Sequence, residues 1–255
     1  MRGKNLKVRL LIGAAIALFF VFKRCSQREE NPYTHRMQTI SMSANEEIAI
    51  GLQSAPQMTQ QHGGLHPNNQ YQALVDNVGN KLVNNSIARE TPYKYEFHLL
   101  ADPNTINAFA LPGGQVFITY ALFSKLENED QLAGVLGHEI GHVLGRHSAE
   151  RIAESEYWQG LVTAGSVGAD MGGLVSGIGQ NTLLTNGRDD ELESDDLGVK
   201  FMIKAGYQPD EMIGVMEILK SAAGPNRVPE FQSTHPDPDN RIEKIQESIK
   251  KYKNQ

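Results

Sequence analysis

Residues 137–142 read Gly-His-Glu-Ile-Gly-His and contain the pattern His-Glu-x-x-His. On a helix, two histidines four residues apart, here His138 and His142, project from the same face and can bind one metal ion. Neutral imidazole suits Zn²⁺, so the pair supplies two of the three protein ligands of a catalytic zinc site. Glu139 flanks the metal without ligating it and could accept a proton from zinc-bound water. The stretch therefore predicts one zinc ion per chain, with a third ligand elsewhere.

The composition is that of an ordinary globular protein with room for a sizeable core. The chain has 255 residues, of which 40% are hydrophobic and 21% are charged, and its formal net charge is −6. This acidic balance, with no basic run after the first 30 residues, argues against a nucleic-acid partner. Cys25 is the only cysteine, which excludes an intrachain disulfide and a thiolate zinc cluster.

The N-terminus predicts a membrane anchor. Basic residues lie on both sides of an unbroken apolar run, residues 10–22. This run is short for a spanning helix and fits a signal-peptide core, but no small-x-small cleavage site follows it. Cys25 lies where a lipoprotein would be lipidated, yet the small residues expected before it are missing. We therefore predict that residues 1–25 form a signal segment that stays as an anchor, with the body exported, into the periplasm if the source is a Gram-negative bacterium.

The rest of the chain reads as a polar linker, residues 26–42, followed by one domain, residues 43–255. Residues 160–185 are apolar and rich in glycine, and we expect small-residue helices with a flexible tip there, or a lid. Periodicity and capping residues predict helices over 44–61 and 71–83, followed by strands over 95–100, 106–110 and 115–120. They then predict four more helices: one that starts at 129, one that ends near 206, one over 209–222 and one that follows 238.

The strands that precede the metal-binding helix include the stretch 107–117. A strand beside a metal site can pair with an extended polypeptide through backbone hydrogen bonds, which is how peptidases hold their substrates. An ordinary hairpin in a small sheet explains the same spacing equally well.

A stripe of glycines runs along the metal-binding helix at positions 134, 137, 141 and 145. Each glycine costs about 1 kcal/mol relative to alanine inside a helix, so we expect a compensating contact. Our hypothesis is that another backbone packs closely there, in the segment that carries the third ligand. The alternative is that the glycines are tolerated in a well-packed helix.

Two kinds of third ligand are conceivable. A third histidine at the metzincin spacing would stand at position 148, which is Ser148. His147 is one residue off and is predicted to point away from the two histidine ligands. A glutamate from a later helix is the alternative, and the acidic segment 188–196 offers several candidates.

Residues 137–142 and 187–195 together resemble the gluzincin zinc metallopeptidase family of the CAAX prenyl proteases, HtpX and BepA. The family's second motif is commonly Ser-Arg-x-x-Glu-x-x-Ala-Asp, and residues 187–195 read Gly-Arg-Asp-Asp-Glu-Leu-Glu-Ser-Asp. The resemblance implies that Glu191 is the third zinc ligand and that Asp195 orients a liganding histidine by accepting its ring N–H. Gly for Ser and Ser for Ala are mild departures. Glu193, on another face of this helix, is expected to be solvated.

The resemblance also covers Thr-His-Pro at residues 234–236 and Arg-Ile at 241–242. It leaves two roles open for His235, which either stabilises the oxyanion during peptide attack or fills the open zinc position as an inhibitory fourth ligand. Spacing alone favours a structural histidine held extended before proline. Arg241 pairs with acidic groups near the site or forms a surface salt bridge. The resemblance favours residues 107–117 as a substrate-binding strand.

These patterns lead to one main hypothesis, a zinc endopeptidase with an α+β, mainly helical, zincin-like fold and a small β-sheet beside the helix of residues 137–142. Zinc would bind to His138, His142 and Glu191, and Glu139 would activate the attacking water. The resemblance implies a minimal, single-anchor family member that hydrolyses polypeptides, among them misfolded or misassembled envelope proteins. The alternative is an envelope chaperone or interaction protein whose zinc is structural or held latent by His235.

Overall fold

A computed structural model describes residues 2–169, 187–222, 230–235 and 240–254. Most of the glycine-rich segment predicted over 160–185 therefore lies outside the described residues. The chain forms two compact units, one made of Met1–Ser43 with Ser148–Thr185 and the other of Ala44–His147 with Asn186–Gln255.

The first unit contains two long helices, α1 (Arg2–Ser26) and most of α6 (His147–Ala169). The two helices approach closely because small residues face each other. A Cβ atom added to Gly13 would lie 2.7 Å from the carbonyl oxygen of Ala164, and one added to Gly160 would meet an aromatic ring of α1. The N-terminal helix is therefore packed against α6 along one side.

The membrane-anchored, extracytoplasmic localisation predicted from the N-terminus is wrong. Within the described residues, every helix is too short or too polar to cross a membrane. The apolar run over 10–22 corresponds to about 20 Å of helix at a rise of 1.5 Å per residue, whereas the hydrocarbon core of a bilayer is about 30 Å thick. Any longer window takes in Arg9, Lys23 or both.

The stretch predicted as a linker contains two short strands, β1 (Arg28–Glu30) and β2 (Met37–Thr39), which pair antiparallel. Asn31 closes the connection between them. Its side-chain oxygen accepts hydrogen bonds from the backbone N–H groups of Tyr33, at 2.9 Å, and Thr34, at 3.2 Å. Such an Asx turn replaces a backbone turn, so a hairpin forms without apolar alternation.

The second unit contains a three-stranded sheet of β3 (Glu96–Leu100), β4 (Ala108–Ala110) and β5 (Gln115–Thr119). The strand order is β3-β5-β4, with β5 parallel to β3 and antiparallel to β4. Every residue of β5 is buried, because this strand is the middle of the sheet. The three predicted strands are therefore confirmed, and β4 lies at an edge.

The turn between β4 and β5 needs its glycines. Gly113 and Gly114 have φ angles of 81° and 111°, which residues with a Cβ rarely adopt. A Cβ on Gly113 would also collide with the backbone of Ile48 in α2 (Ala44–Gln61). The N-terminal half of α2 therefore packs backbone to backbone on this turn and fixes the start of β5.

The longer helices of the second unit lie close to their predicted positions, whereas two short helices, Tyr120–Phe123 and Glu230–Thr234, and a 3₁₀ turn were not predicted. Asn128 caps the metal-binding helix, because its side-chain oxygen accepts from the N–H of Gln131 at 2.9 Å. With the small sheet beside this helix, the predicted α+β, mainly helical fold class is confirmed. These helices are α3 (Asn69–Asn84), α4 (Tyr120–Phe123), α5 (Glu129–Leu144), α7 (Arg188–Ala205), α8 (Glu211–Ala222), α9 (Glu230–Thr234) and α10 (Arg241–Lys253), with a short 3₁₀ turn at Ile87–Glu90.

The glycine stripe of α5 is where α7 packs. A Cβ on Gly137 would lie 3.3 Å from the Cα of Gly198, and one on Gly141 would lie 2.9 Å from the Cα of Ser194. Both contacts are with the backbone of α7, the helix that carries Glu191. The hypothesis that a second backbone packs against the stripe is therefore confirmed, and this contact sets the distance between the two halves of the site.

Candidate active site

Helices α5 and α7 and the residue after α9 bring four potential metal ligands together. One ligand atom each from His138, His142, Glu191 and His235 lies within 4.8 Å of the others, and all four side chains are buried. The Nε2 atoms of His138 and His142 are 3.0 Å apart, and each lies 3.3 Å from an oxygen of Glu191. The structure thus places the three ligands proposed from the sequence side by side.

His138 is oriented from behind by Asp195, whose Oδ1 lies 2.8 Å from the Nδ1 of the imidazole. Arg241 donates to both oxygens of Asp195, at 2.7 and 2.9 Å. Burial raises the pKa of Asp195, but the positive charge of Arg241 and the hydrogen bond from His138 outweigh burial and lower it. Because an ionised carboxylate only accepts, Nδ1 of His138 carries the hydrogen and Nε2 is left to bind a metal. Arg241 is buried and thus does not form a surface salt bridge.

His142 is oriented in a different way. Its Nδ1 lies 2.7 Å from the Nδ1 of His147, and the Nε2 of His147 lies 2.8 Å from the Oε2 of Glu193. The sequence-based expectations that His147 points away and that Glu193 is solvated are both wrong. The helical periodicity of α5 does not extend to His147, because Arg146 adopts a φ of 57° and breaks the helix before it.

The donor set fits a metal ion. Two imidazole nitrogens and a carboxylate are the ligands that catalytic zinc takes from a protein. These nitrogen and oxygen atoms lie only 3.0 to 3.3 Å apart. Their lone pairs therefore repel one another unless a positive charge lies between them. Oε2 of Glu191 lies 3.3 Å from the Nε2 of His138 and 3.4 Å from the Nη2 of Arg241.

In the metal-free site a proton supplies part of that charge. Burial lowers the pKa of His138, but its hydrogen bonds with Asp195 and Glu191 outweigh burial and raise the pKa to about 9. Burial lowers the pKa of His142 well below its usual range. The site therefore holds a proton on His138, which a metal ion would displace.

Glu139 is a fully buried carboxylate next to these ligands. Neither of its oxygens has a hydrogen-bond partner among the residues that the structure describes. Burial raises its pKa, which makes the carboxylate a better proton acceptor than an exposed one. Such a buried carboxylate calls for an explanation, and a role in proton transfer beside the metal-binding residues supplies one.

His235 lies inside the cluster. Its Nδ1 is 3.0 Å from Oε1 of Glu191 and 3.4 Å from Nε2 of His138, while its Nε2 is 3.8 Å from Oε1 of Glu139. The ring stacks on Phe231, with centroids 4.4 Å apart and planes inclined by 20°. Only 3% of the residue is exposed. The sequence spacing could not predict this contact, because His235 and Glu191 are 44 residues apart.

The edge strand β4 presents backbone groups that do not bond to its neighbour. The carbonyl oxygen of Asn107 accepts from β5 at 3.0 Å, and the N–H of Leu111 donates to β5 at 2.8 Å. Because bonding alternates along an antiparallel strand, the backbone groups of Ala108 and Ala110 point away from β5. They lie along the free edge of the sheet, where no other strand of the described residues pairs. These groups could pair with one more extended segment.

Comparisons with known proteins agree with this geometry. Residues 69–249 match the model of Peptidase family M48. A mitochondrial metalloendopeptidase OMA1 from Schizosaccharomyces pombe is 31% identical over 85% of this chain and 65% of its own length. Beta-barrel assembly-enhancing proteases from Yersinia pestis and Escherichia coli are 33% and 31% identical over 66% of this chain and 37% of their own length. The chain thus spans less than two thirds of each of these relatives.

Proposed function

The chain belongs to Peptidase family M48, and we propose that it is a zinc-dependent endopeptidase acting on polypeptides that have failed to fold or assemble. The family resemblance read from the sequence is thereby confirmed. The observation that carries the proposed activity is Glu139, a buried carboxylate without a hydrogen-bond partner in the described residues, beside a complete set of zinc ligands. The names of two relatives, beta-barrel assembly-enhancing proteases, support misassembled envelope proteins as substrates.

In this proposal His138, His142 and Glu191 hold one zinc ion. The bound metal would make a water molecule acidic and would polarise the scissile carbonyl. Glu139 takes the proton from the attacking water and delivers it to the leaving nitrogen. Asp195 and Arg241 keep the imidazole of His138 in the tautomer that leaves Nε2 free.

The free edge of β4 is the proposed place for the substrate backbone. An extended polypeptide paired with Ala108 and Ala110 would gain hydrogen bonds that do not depend on its sequence. Such pairing suits an enzyme whose substrates share an unfolded backbone and no common motif.

His235 is proposed to close the site at rest as a fourth ligand. Its burial within the cluster supports this role over that of an oxyanion stabiliser. The backbone N–H of Phe231, on the same short helix, donates to the carbonyl of Ile106 at 3.2 Å. Ile106 precedes Ala108 by two residues, so its carbonyl faces the same edge. A substrate that extends along this edge would compete with the segment that carries His235.

Glu139→Gln tests the peptidase mechanism. General acid–base catalysis contributes about 10²- to 10⁴-fold, so turnover of an unfolded protein should fall by at least 100-fold. Zinc content should stay at the wild-type level, because Glu139 is not a ligand. Glu193→Gln is not a suitable control, since Glu193 touches the site, whereas Glu217→Gln, outside it, should keep wild-type turnover. Activity that survives Glu139→Gln would contradict the mechanism and favour a chaperone with structural zinc.

His235→Ala tests the resting state. If His235 occupies the open zinc position, its removal should raise turnover while zinc stays bound by three ligands. A loss of turnover with zinc retained would assign His235 to the oxyanion instead. Steady-state rates measured beside metal content separate the two roles.

A further inference from the structure

His147, which is buried, and Glu193, which is partly buried, take no part in the proposed chemistry. His147 is 0% exposed and lies between Glu193 and the ligand His142. Ser194 contributes a further contact, with its hydroxyl 3.4 Å from the Nδ1 of His147. A buried imidazole that hydrogen-bonds on both nitrogens has a fixed position and a defined proton arrangement.

The proton arrangement follows from the chemistry of each group. A metal on the Nε2 of His142 requires a hydrogen on its Nδ1, which must then donate to the Nδ1 of His147. His147 can accept there only if its own hydrogen sits on Nε2, and the carboxylate of Glu193 accepts that hydrogen. One neutral tautomer of each imidazole therefore satisfies every contact in the chain from Glu193 to the metal.

The local backbone is built to hold the ring of His147 in this place. Arg146 has a φ of 57°, a left-handed conformation that residues with a Cβ rarely adopt. Its guanidinium forms a largely buried ion pair with Glu47, with Nε and Nη2 at 2.8 and 2.6 Å from Oε1. This pair holds the turn, and Gly145 leaves room for the ring, because a Cβ there would collide with the imidazole of His147.

We propose that His147 is a positioning residue for the zinc ligand His142, and that Glu193 sets its tautomer. The arrangement parallels Asp195 behind His138, except that the carboxylate acts through a second imidazole. A hydrogen-bond acceptor behind a liganding histidine fixes the ring and makes it a stronger donor to the metal. Each of the two histidine ligands thus has its own support, from different residues of α7.

The experiment compares His147→Asn with His147→Gln in the full chain. The amide of asparagine reaches the position of Nδ1 and can accept from His142, whereas that of glutamine reaches the position of Nε2 and cannot. Removing such an acceptor typically weakens metal binding 10- to 100-fold. We therefore expect His147→Gln to raise the dissociation constant for Zn²⁺ by that factor in a chelator competition, and His147→Asn to stay within a few-fold of the wild type.

Two further readouts separate positioning from general stability. The visible absorption bands of bound Co²⁺ should shift in His147→Gln and return in His147→Asn. His62→Asn, at a histidine that pairs with Asp102 outside the site, is the matched control and should change neither quantity. Thermal unfolding of the metal-free variants checks that each one folds.

This inference rests on the proposed zinc site, and the outcomes distinguish the two. If the wild type binds Zn²⁺ and the two His147 variants bind it equally well with the same Co²⁺ spectrum, the positioning role is overturned while the zinc site stands. If the wild type binds no Zn²⁺, both proposals fall.

Discussion

At the scale of the residue, Glu193 shows how a side chain acquires its role from a distant partner. Its place in an acidic run is typical of a solvated surface, and 18% of its side chain is exposed. Its Oε2 lies 2.8 Å from the Nε2 of His147, 46 residues earlier in the chain. The proposed ligands are predictable from the sequence, because His138 and His142 belong to a pattern of fixed spacing and Glu191 belongs to a motif that the family resemblance supplies. Their supports are not, because His147 depends on a turn that no periodicity describes.

Asp102, which lies outside the metal site, leads to a prediction about how the stability of the fold depends on pH. Burial raises its pKa, but hydrogen bonds from the N–H groups of Asn104 and Thr105 and from His62 outweigh burial and lower it to about 2. A carboxyl whose pKa is depressed in the folded state stabilises the fold above its unfolded pKa of about 4, and this stabilisation is lost as the pH falls towards 2.

Asp102→Asn should therefore lower the free energy of unfolding by about 1 kcal/mol at pH 6, and the difference from the wild type should vanish near pH 2. Urea unfolding of the metal-free proteins across this range measures it. Asp189→Asn, at an exposed residue, provides the baseline. A difference that stayed constant down to pH 2 would contradict a role for the charge.

At the scale of the element, the glycines of α5 differ in what they contact. Gly141→Ala would place a Cβ 2.9 Å from backbone atoms of Ser194, so α5 and α7 must separate. Overpacking of this kind costs about 1–3 kcal/mol, and we also expect weaker zinc binding because Glu191 moves with α7. Calorimetry with and without Zn²⁺ measures both effects.

Gly134→Ala is the matched substitution on the same stripe. Its Cβ would lie 3.4 Å from the Cα of Met212, an ordinary contact, so the helix should gain up to about 1 kcal/mol from the better helix former. Equal destabilisation by the two substitutions would mean that the contact between α5 and α7 is not the reason for the glycines.

Elements were more predictable than their connections. The cap at Asn128 and the glycines of α5 are local signals, and they anticipated both the helix and its close neighbour. The hairpin of β1 and β2 is not predictable from the sequence pattern, because its strands are three residues long and its turn depends on one side chain, Asn31. The apolar run at the N-terminus is typical of a membrane segment, but the charged residues on both sides of it leave α1 too polar to cross a membrane.

At the scale of the whole molecule, the site belongs to one of the two units. A ligand stabilises the cooperative unit that binds it, by about 2.7 kcal/mol at 100 times its dissociation constant. Saturating Zn²⁺ should therefore slow amide hydrogen exchange by about 100-fold in α5 and α7 and leave α1 unchanged. Mass spectrometry of peptides from each helix measures this. Equal protection of α1 would show that the two units open together.

Where Gly137 of α5 meets Gly198 of α7, the nearest atoms of α7 are backbone atoms, and the methyl group of Met212 lies beside the contact. Two backbones therefore set most of the distance between the histidine pair and Glu191, and little side-chain volume is available there to change it. A new side chain at either glycine, or a bulkier one at position 212, would push the two helices apart, whereas substitutions elsewhere in the core would repack around this contact.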